Sequence, residues 1–134
     1  MIHSLLEKRF NGTNNLIYMA TSYHHIPSIR SLTPYYHDGA FYALTSGSSK
    51  KINEIKENPY VAICGYFFNA SAIASNIGQA KNHPELSSQL MIYCKDWIQL
   101  GNVDMNSEDT CILKIQITKG YLIEKDKRYE IDFS

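Results

Sequence analysis

The segment 44–51, LTSGSSKK, is the part of the sequence whose residue types point most directly to chemistry. It combines hydroxyl groups, a glycine and two lysines at the predicted junction of a strand with a helix. The N–H groups and dipole of a helix N-terminus attract phosphate, and hydroxyl and ammonium groups add donors and charge. The spacing differs from GxxxxGK[ST], which argues against a nucleoside triphosphate loop. The segment predicts a phosphomonoester site; a capped helix with two solvated lysines is the alternative.

Arg30 is a second candidate for the same anion site, because it stands in an otherwise apolar run, PSIRSLTPYY. A guanidinium in such a run is costly to bury unless it reaches a partner. We expect strand 26–35 to lie beside strand 40–46 in a meander, which would direct Arg30 toward the end of the sheet where Lys51 lies. An arginine on the outer face of a barrel is the alternative.

The remaining sequence supplies the elements that must position these residues. Helical periodicity predicts helices over the first ten residues, over 50–57 before Pro59, and over 83–101. Asn69 and Ala70 are expected to form a hairpin turn. Alternating apolar runs predict strands over 16–22, 26–35, 40–46, 60–68, 71–80, 111–118, 121–124 and 128–133.

Short connections between these strands leave no room for parallel crossover units. The pattern therefore predicts a mainly β fold, a closed antiparallel barrel with a few helices, formed by residues 1–134 as a single domain.

Composition excludes several classes of function. Thirteen basic and thirteen acidic side chains cancel, so neither nucleic acid nor an anionic membrane is an expected partner. The N-terminus does not resemble a signal peptide, and we expect a cytoplasmic protein. Adjacent histidines at 24 and 25 fall in a turn without an acidic partner, so no metal site is expected. Cys64, Cys94 and Cys111 are widely spaced and are expected to be buried, reduced thiols.

Two longer segments, MATSYHHIPSIRSLTPYY and FYALTSGSSKKINEIKENPYVAI, are similar to the pyridoxamine 5'-phosphate oxidase-like flavoproteins. The shared features are an ATS strand, a P-x-x-R-x-L strand, an FY-x-L-T strand and an S-x-K helix start. The match covers residues 16–65 and extends loosely to KDWIQLGNVD and RYEIDF. The resemblance implies a split β-barrel of antiparallel Greek-key type that forms a homodimer, with FMN in the cleft between the subunits.

The resemblance also implies roles for individual residues. Arg30 and Lys51 would hold the FMN phosphate, and the backbone of residues 31–33 would line the polar edge of the isoalloxazine ring. Trp97 of the partner subunit would lie near the ring. The complete set of implied cofactor-binding residues is Arg30, Ser31, Leu32, Thr33, Thr45, Ser46, Ser49, Lys50, Lys51 and Trp97.

The implied activity is an FMN-dependent oxidoreductase that exchanges a hydride with an unidentified small organic substrate. NAD(P)H is a candidate donor that would dock transiently, since no GxGxxG motif is present. No catalytic side chain is predicted. The sequence also lacks the closing Arg-x-His of the pyridoxamine phosphate oxidases proper, which argues against vitamin B6 oxidation. The alternatives are a non-catalytic flavin carrier, sensor or stress-related module, and a reductase that uses the deazaflavin F420.

Overall fold

The computed structural model describes residues 1–101 and 103–134; Asn102, in the motif KDWIQLGNVD, lies outside the described residues. A 3-10 turn at Ala80–Asn82 precedes the third helix. In chain order the helices and strands are α1 (Ile2–Phe10), β1 (Ile17–Tyr23), β2 (Ile26–Leu32), β3 (Tyr35–His37), β4 (Ala40–Ser46), α2 (Lys50–Glu57), β5 (Tyr60–Gly65), β6 (Phe68–Gln79), α3 (Pro84–Tyr93), α4 (Lys95–Gln99), β7 (Thr110–Glu124) and β8 (Lys127–Asp132).

The described strands form one antiparallel sheet in the order β2-β1-β5-β6-β7-β4-β3, and β8 pairs with β7 beside this path. The mainly β, antiparallel architecture predicted from the sequence is confirmed. Within the described residues the path ends at β2 on one side and at β3 on the other. The barrel is therefore split, whereas the alternation pattern alone predicted full closure.

The expected meander is wrong in placing the strand that contains Arg30 beside the strand that precedes Lys51. β2 pairs with β1, whereas β4 pairs with β3 and β7, so the strand of Arg30 and the strand before Lys51 are not neighbours. The expected strand 26–35 is divided, because β2 ends at Leu32 and β3 begins at Tyr35. Pro34 lies in this gap, and proline has no N–H group with which to continue a ladder.

The hairpin between β5 and β6 turns at Tyr66 and Phe67, so the expected turn at residues 69 and 70 is wrong. Gly65 pairs with Phe68, which leaves a two-residue loop. Phe67 has φ of +50°, a region that bulky residues rarely adopt. Neither aromatic residue is typical of a turn, whereas Asn69 is, and this explains the misplaced prediction.

The sequence predicted a break between two strands at residues 119–120. In the structure, β7 is one continuous strand across these residues. Its first half pairs with β4, its second half with β8, and β6 lies along its other edge. Gly120 allows a close approach of β6: a Cβ atom at this position would lie 2.1 Å from the carbonyl oxygen of Asn69 and 2.6 Å from the Cα of Ala70. Glycine is thus required for packing here and does not end the strand.

The expected helix 83–101 is divided at Cys94, where φ is −111° and ψ is 27°. The carbonyl group of Tyr93 accepts a hydrogen bond of 2.8 Å from the backbone N–H of Asn14. This oxygen is therefore engaged outside the helix at the point where the chain bends. The resulting α4 packs over a small apolar cluster that includes Leu44, Leu90 and Ile112.

The main core lies inside the curved sheet, and α1 covers it. Phe10 of α1 makes edge contacts with Phe41 and Phe68, with ring centroids 5.0 and 5.2 Å apart. All three cysteines are free; Cys94 and Cys111 are buried as expected. Cys64 is only half-buried, contrary to expectation, because it lies on the outward face of β5.

Replacing Gly120 with alanine tests the close approach of β6 to β7. We expect Gly120→Ala to lower the free energy of unfolding by about 3 kcal/mol or more, because backbone atoms of β6 must move. Gly12→Ala is the matched control, since nothing lies within 4 Å of its Cβ position. Urea unfolding measures the free energy of unfolding of both variants. Equal stability of the two variants would contradict the close approach of β6 to Gly120.

Candidate functional site

A cavity of about 580 Å³ lies between the edge of β2 and the side of β4. Its volume falls within the range of small-molecule sites in proteins. Although the two strands are not paired, the split in the barrel brings them to opposite walls of one space. The walls are formed by residues 28–33 of β2 and the following loop, Ala43 and Leu44 of β4, Lys50 and Lys51 of α2, and Trp97 of α4.

The edge of β2 offers backbone hydrogen-bonding groups to this cavity. His24 and His25 form the two-residue turn between β1 and β2, with φ of +51° and +64°, as in a type I′ hairpin. In such a hairpin the pair flanking the turn is hydrogen-bonded, and bonded pairs then alternate along the ladder. The N–H and C=O groups of Ile29 and Ser31 therefore point away from β1, along the edge that lines the cavity.

Arg30 enters the cavity wall from the inner face of β2. Its guanidinium donates to the carbonyl of Met19 at 3.2 Å and to the hydroxyl of Thr21 at 2.9 Å. It also forms an ion pair with Glu54 of α2, with Nη2 and Oε1 3.4 Å apart. Burial lowers the pKa of Arg30, and the carboxylate of Glu54 partly offsets this effect. The expectation that this arginine reaches a partner is met by residues of its own chain.

Lys51 lies in the first turn of α2 and supplies the second cation. Its Nζ donates to the hydroxyl of Thr45 at 2.8 Å, and it forms no ion pair within the described part of the chain. Burial lowers the pKa of Lys51, and the nearby positive charge of Arg30 lowers it further, whereas Cys111 acts in the opposite direction. Two cations are thus held close together in a partly desolvated wall. An anion between them would relieve their repulsion.

The loop before α2 is organised by Asp109, which sequence analysis missed. Its carboxylate accepts hydrogen bonds from the hydroxyls of Ser46 and Ser48, and its backbone oxygen accepts one from the N–H of Gly47 at 2.7 Å. These two hydroxyls are therefore engaged by an acidic group. Ser49 is the N-cap residue of α2 but makes no side-chain cap bond, so the first N–H groups of the helix lack this partner.

Leu44, Ala43 and Trp97 give the cavity an apolar wall. Trp97 is held there by α4, which packs on the cluster around Leu90. The resemblance implied that Trp97 of the partner subunit would approach a ring, whereas the structure puts Trp97 into the wall of the cavity within its own chain.

Most of the predicted site residues come together at this cavity. Thr45 and Ser49 lie just behind Lys51, with their hydroxyl oxygens 3.5 Å apart, and Ser46 faces Asp109 instead. Their predicted roles in holding a phosphate remain predictions. The predicted residues in the wall itself are Arg30, Ser31, Leu32, Thr33, Lys50, Lys51 and Trp97.

The described residues contain no group of three or more His, Cys, Asp or Glu side chains placed to hold a metal ion. None of the described helices combines the length and apolar character needed to cross a membrane.

Comparison with known proteins gives matches among solved structures. The General Stress Protein 26 from Bacillus anthracis is 16% identical, with a TM-score of 0.72 over 97% of this chain and 98% of that chain. A FAD-binding protein from Mesorhizobium loti is 16% identical, with a TM-score of 0.68 over 87% and 91%. A pyridoxamine 5'-phosphate oxidase-related, FMN-binding protein from Nostoc punctiforme is 15% identical, with a TM-score of 0.57 over 99% and 94%. No protein-family model and no curated protein matches the sequence.

These similarities define the class of fold. The chain has the split β-barrel fold of the pyridoxamine 5'-phosphate oxidase-like proteins, which its similar structures share nearly end to end. The resemblance noted in the sequence is confirmed at the level of the fold.

Replacing Lys51 tests whether its repulsion by Arg30 and its burial destabilise the protein without a ligand. Because its pKa is lower in the folded protein than in the unfolded chain, its protonation opposes folding at neutral pH. We expect Lys51→Met to raise the stability of the empty protein by about 1 kcal/mol at neutral pH. The gain should shrink as pH rises through the lowered pKa, where Lys51 loses its proton.

Lys56→Met is the control, because Lys56 is an exposed lysine on the same helix. Thermal unfolding between neutral and alkaline pH measures both variants. A Lys51→Met protein less stable than the parent at neutral pH would show that the ammonium group stabilises the empty site.

Proposed function

We propose that this protein binds FMN in the cavity between β2 and β4 and acts as an FMN-dependent oxidoreductase on a small organic substrate. The observation that carries the proposal is the convergence of Arg30 and Lys51, from two elements that do not pair, at one cavity of ligand size. The names of similar structures, which include FMN-binding and FAD-binding proteins, support a flavin as the ligand.

The charged end of the cavity suits a phosphate group. Arg30, Lys50 and Lys51 bring three positive charges to its wall, and the carboxylate of Glu54 removes one of them. The N-terminus of α2 adds backbone N–H groups without a side-chain cap. A phosphomonoester dianion would balance the remaining charge and could accept hydrogen bonds from both side-chain and backbone donors.

The other walls suit a flat heteroaromatic ring. Leu44 and Trp97 would contact its apolar surface, and the edge of β2 at Ile29 and Ser31 would meet its polar rim with both donors and acceptors. FMN combines such a ring with a single phosphate. The residues that would hold it include Arg30, Ser31 and Lys51, for which the sequence resemblance implied such roles.

A bound flavin supplies hydride transfer, and the protein then supplies binding, orientation and electrostatics. The described residues of the cavity wall include no carboxylate and no imidazole side chain. The contribution of this chain is therefore to hold and orient the ring and to exclude water from it. Arg30 and Lys51 anchor one end, and the β2 edge fixes the rotation of the ring.

A flavin carrier, sensor or stress-related module is the second candidate. It is favoured by the same lack of a carboxylate or imidazole in the described wall and by the likeness to a protein named for general stress. Reduction of the bound cofactor by NADH or NADPH, followed by repeated oxidation with an added acceptor, supports the enzyme; an inert cofactor supports the module. Chromatography of the released cofactor separates FMN from FAD, and its visible spectrum separates both from F420.

We further propose a homodimer formed through the outward face of β1, β2, β5 and β6. Tyr60 and Ile29 are 71% and 68% exposed on this face, and Tyr18 and Ile73 are also exposed. Ile29 and Ala62 both pair with Ala20, which makes the surface continuous across three strands. Because Ile29 also lines the cavity, a second copy seated here would close the site from outside.

Flavin binding is tested with the double variant Arg30→Ala, Lys51→Ala. We expect the parent, expressed with riboflavin, to show a flavin spectrum near saturation and the variant to lose it. Two charge-assisted hydrogen bonds are worth ~3–6 kcal/mol together, so the affinity for FMN should fall by about a hundredfold or more. The control is Lys56→Ala, Arg128→Ala, which removes two exposed cations. Equal retention of flavin by all three proteins would contradict the site.

The dimer is tested by adding a charge to its proposed surface. We expect Tyr60→Lys to convert the parent dimer to a monomer, because two ammonium groups would be buried against apolar surface. Met91→Lys places the same change on an exposed position of α3 and should leave the dimer intact. Size-exclusion chromatography with light scattering measures the mass. A monomeric parent would refute the proposal.

A further inference from the structure

Glu54 is a buried acid beside a site that is built to attract anions. It is 4% exposed, and it lies on α2, one turn after Lys51. Its Oε2 accepts a hydrogen bond from the hydroxyl of Thr21 at 3.2 Å, while its Oε1 lies 3.4 Å from Nη2 of Arg30. The same hydroxyl of Thr21 also accepts from Arg30. The three side chains form a closed network behind the cavity wall.

The negative charge of Glu54 acts against the binding of an anion at the cavity wall. It faces Arg30, one of the two cations expected to hold a phosphate, and leaves Lys51 without an acidic partner among the residues that the structure describes. Asp109, the other acid near the loop, is engaged by Ser46 and Ser48. An anion that enters the cavity must therefore share Arg30 with Glu54, and it meets a like charge just behind the guanidinium.

We propose that Glu54 is an internal competitor for Arg30, which sets the affinity of the anion site and keeps its ligand exchangeable. The Glu54 carboxylate occupies a contact of Arg30 that a bound anion would otherwise use. The weakened site does not retain free inorganic phosphate, and it releases a phosphorylated ligand faster than a site without this acid. The inference rests on the proposed function for the identity of that larger ligand, FMN, but not for the phosphate itself.

A purely structural role for Glu54 makes the opposite prediction. If the carboxylate served only to hold Arg30 in place, its loss would weaken phosphate binding. Arg30 is also held by the carbonyl of Met19 and by Thr21, and both contacts remain when Glu54 changes. In Glu54→Gln, the amide oxygen can still accept a hydrogen bond at the same place. This variant therefore removes the negative charge while it preserves the orientation of Arg30.

The test compares the parent with Glu54→Gln in titrations with sodium phosphate at constant ionic strength. Both proteins are first dialysed until no flavin band remains. We expect Glu54→Gln to bind inorganic phosphate at least about tenfold more tightly, because one unit of like charge near the anion has been removed. Isothermal calorimetry measures the affinity directly. Glu57→Gln makes the same change in net charge at an exposed position of α2 and should match the parent.

An affinity for phosphate that is unchanged or lower in Glu54→Gln would overturn the proposal, as would the absence of any detectable phosphate binding by this variant. If Glu54→Gln fails to fold, Glu54→Met replaces it, since methionine has a similar length and no charge; the same increase is expected, and the same results would refute it.

FMN is titrated in parallel, so that failure of the inference and failure of the proposed function can be told apart. We expect FMN to dissociate from Glu54→Gln about tenfold more slowly than from the parent in stopped-flow displacement. Equal phosphate and FMN binding by both proteins would refute the role of Glu54 and leave the flavin site intact. Tighter phosphate binding by Glu54→Gln without FMN binding by either protein would refute the flavin and support the role of Glu54.

Discussion

The candidate site depends on one electrostatic constraint, the proximity of the cationic side chains of Arg30 and Lys51 in a partly buried wall. Burial and the charge of Arg30 both lower the pKa of Lys51, because solvent screens the positive charges of this wall incompletely. Glu54 and the hydroxyls of Thr21 and Thr45 supply the polar contacts that make this arrangement tolerable. Functional sites often lower the stability of a protein in this way, and a bound ligand of opposite charge offsets the cost.

The split in the barrel is what allows these cations to meet. A ladder that joined the two ends of the sheet, β2 and β3, would engage the backbone groups along the edge of β2 that now line the cavity. The long β7 pairs with β4, β6 and β8, and it approaches β6 closely at Gly120. These pairings join the strands of the sheet, while its two ends, β2 and β3, stay unpaired with each other.

The sequence predicted the order of most elements, and it singled out Arg30 and Lys51, which the structure brings to one cavity, because both depend on local patterns. Their role in binding an anion remains a prediction. Alternation revealed the strands, and the serines and lysines around Gly47 revealed a helix start suited to phosphate. Strand pairing depends on contacts between distant residues, which explains why the sequence placed Arg30 near Lys51 through the wrong strand neighbour. Glu54 was missed because a glutamate on a short helix has the pattern of a solvent-exposed residue, and the packing of α2 against the sheet buries it.

The central claim is that Arg30 and Lys51 bind the phosphate of one ligand, and a crystal structure of the protein grown with excess FMN tests it most directly. The account predicts FMN between β2 and β4, with its phosphate oxygens within hydrogen-bond distance of both side chains. A bound FMN whose phosphate contacts neither of them, or a structure in which the two side chains point to different sides of the molecule, would contradict it.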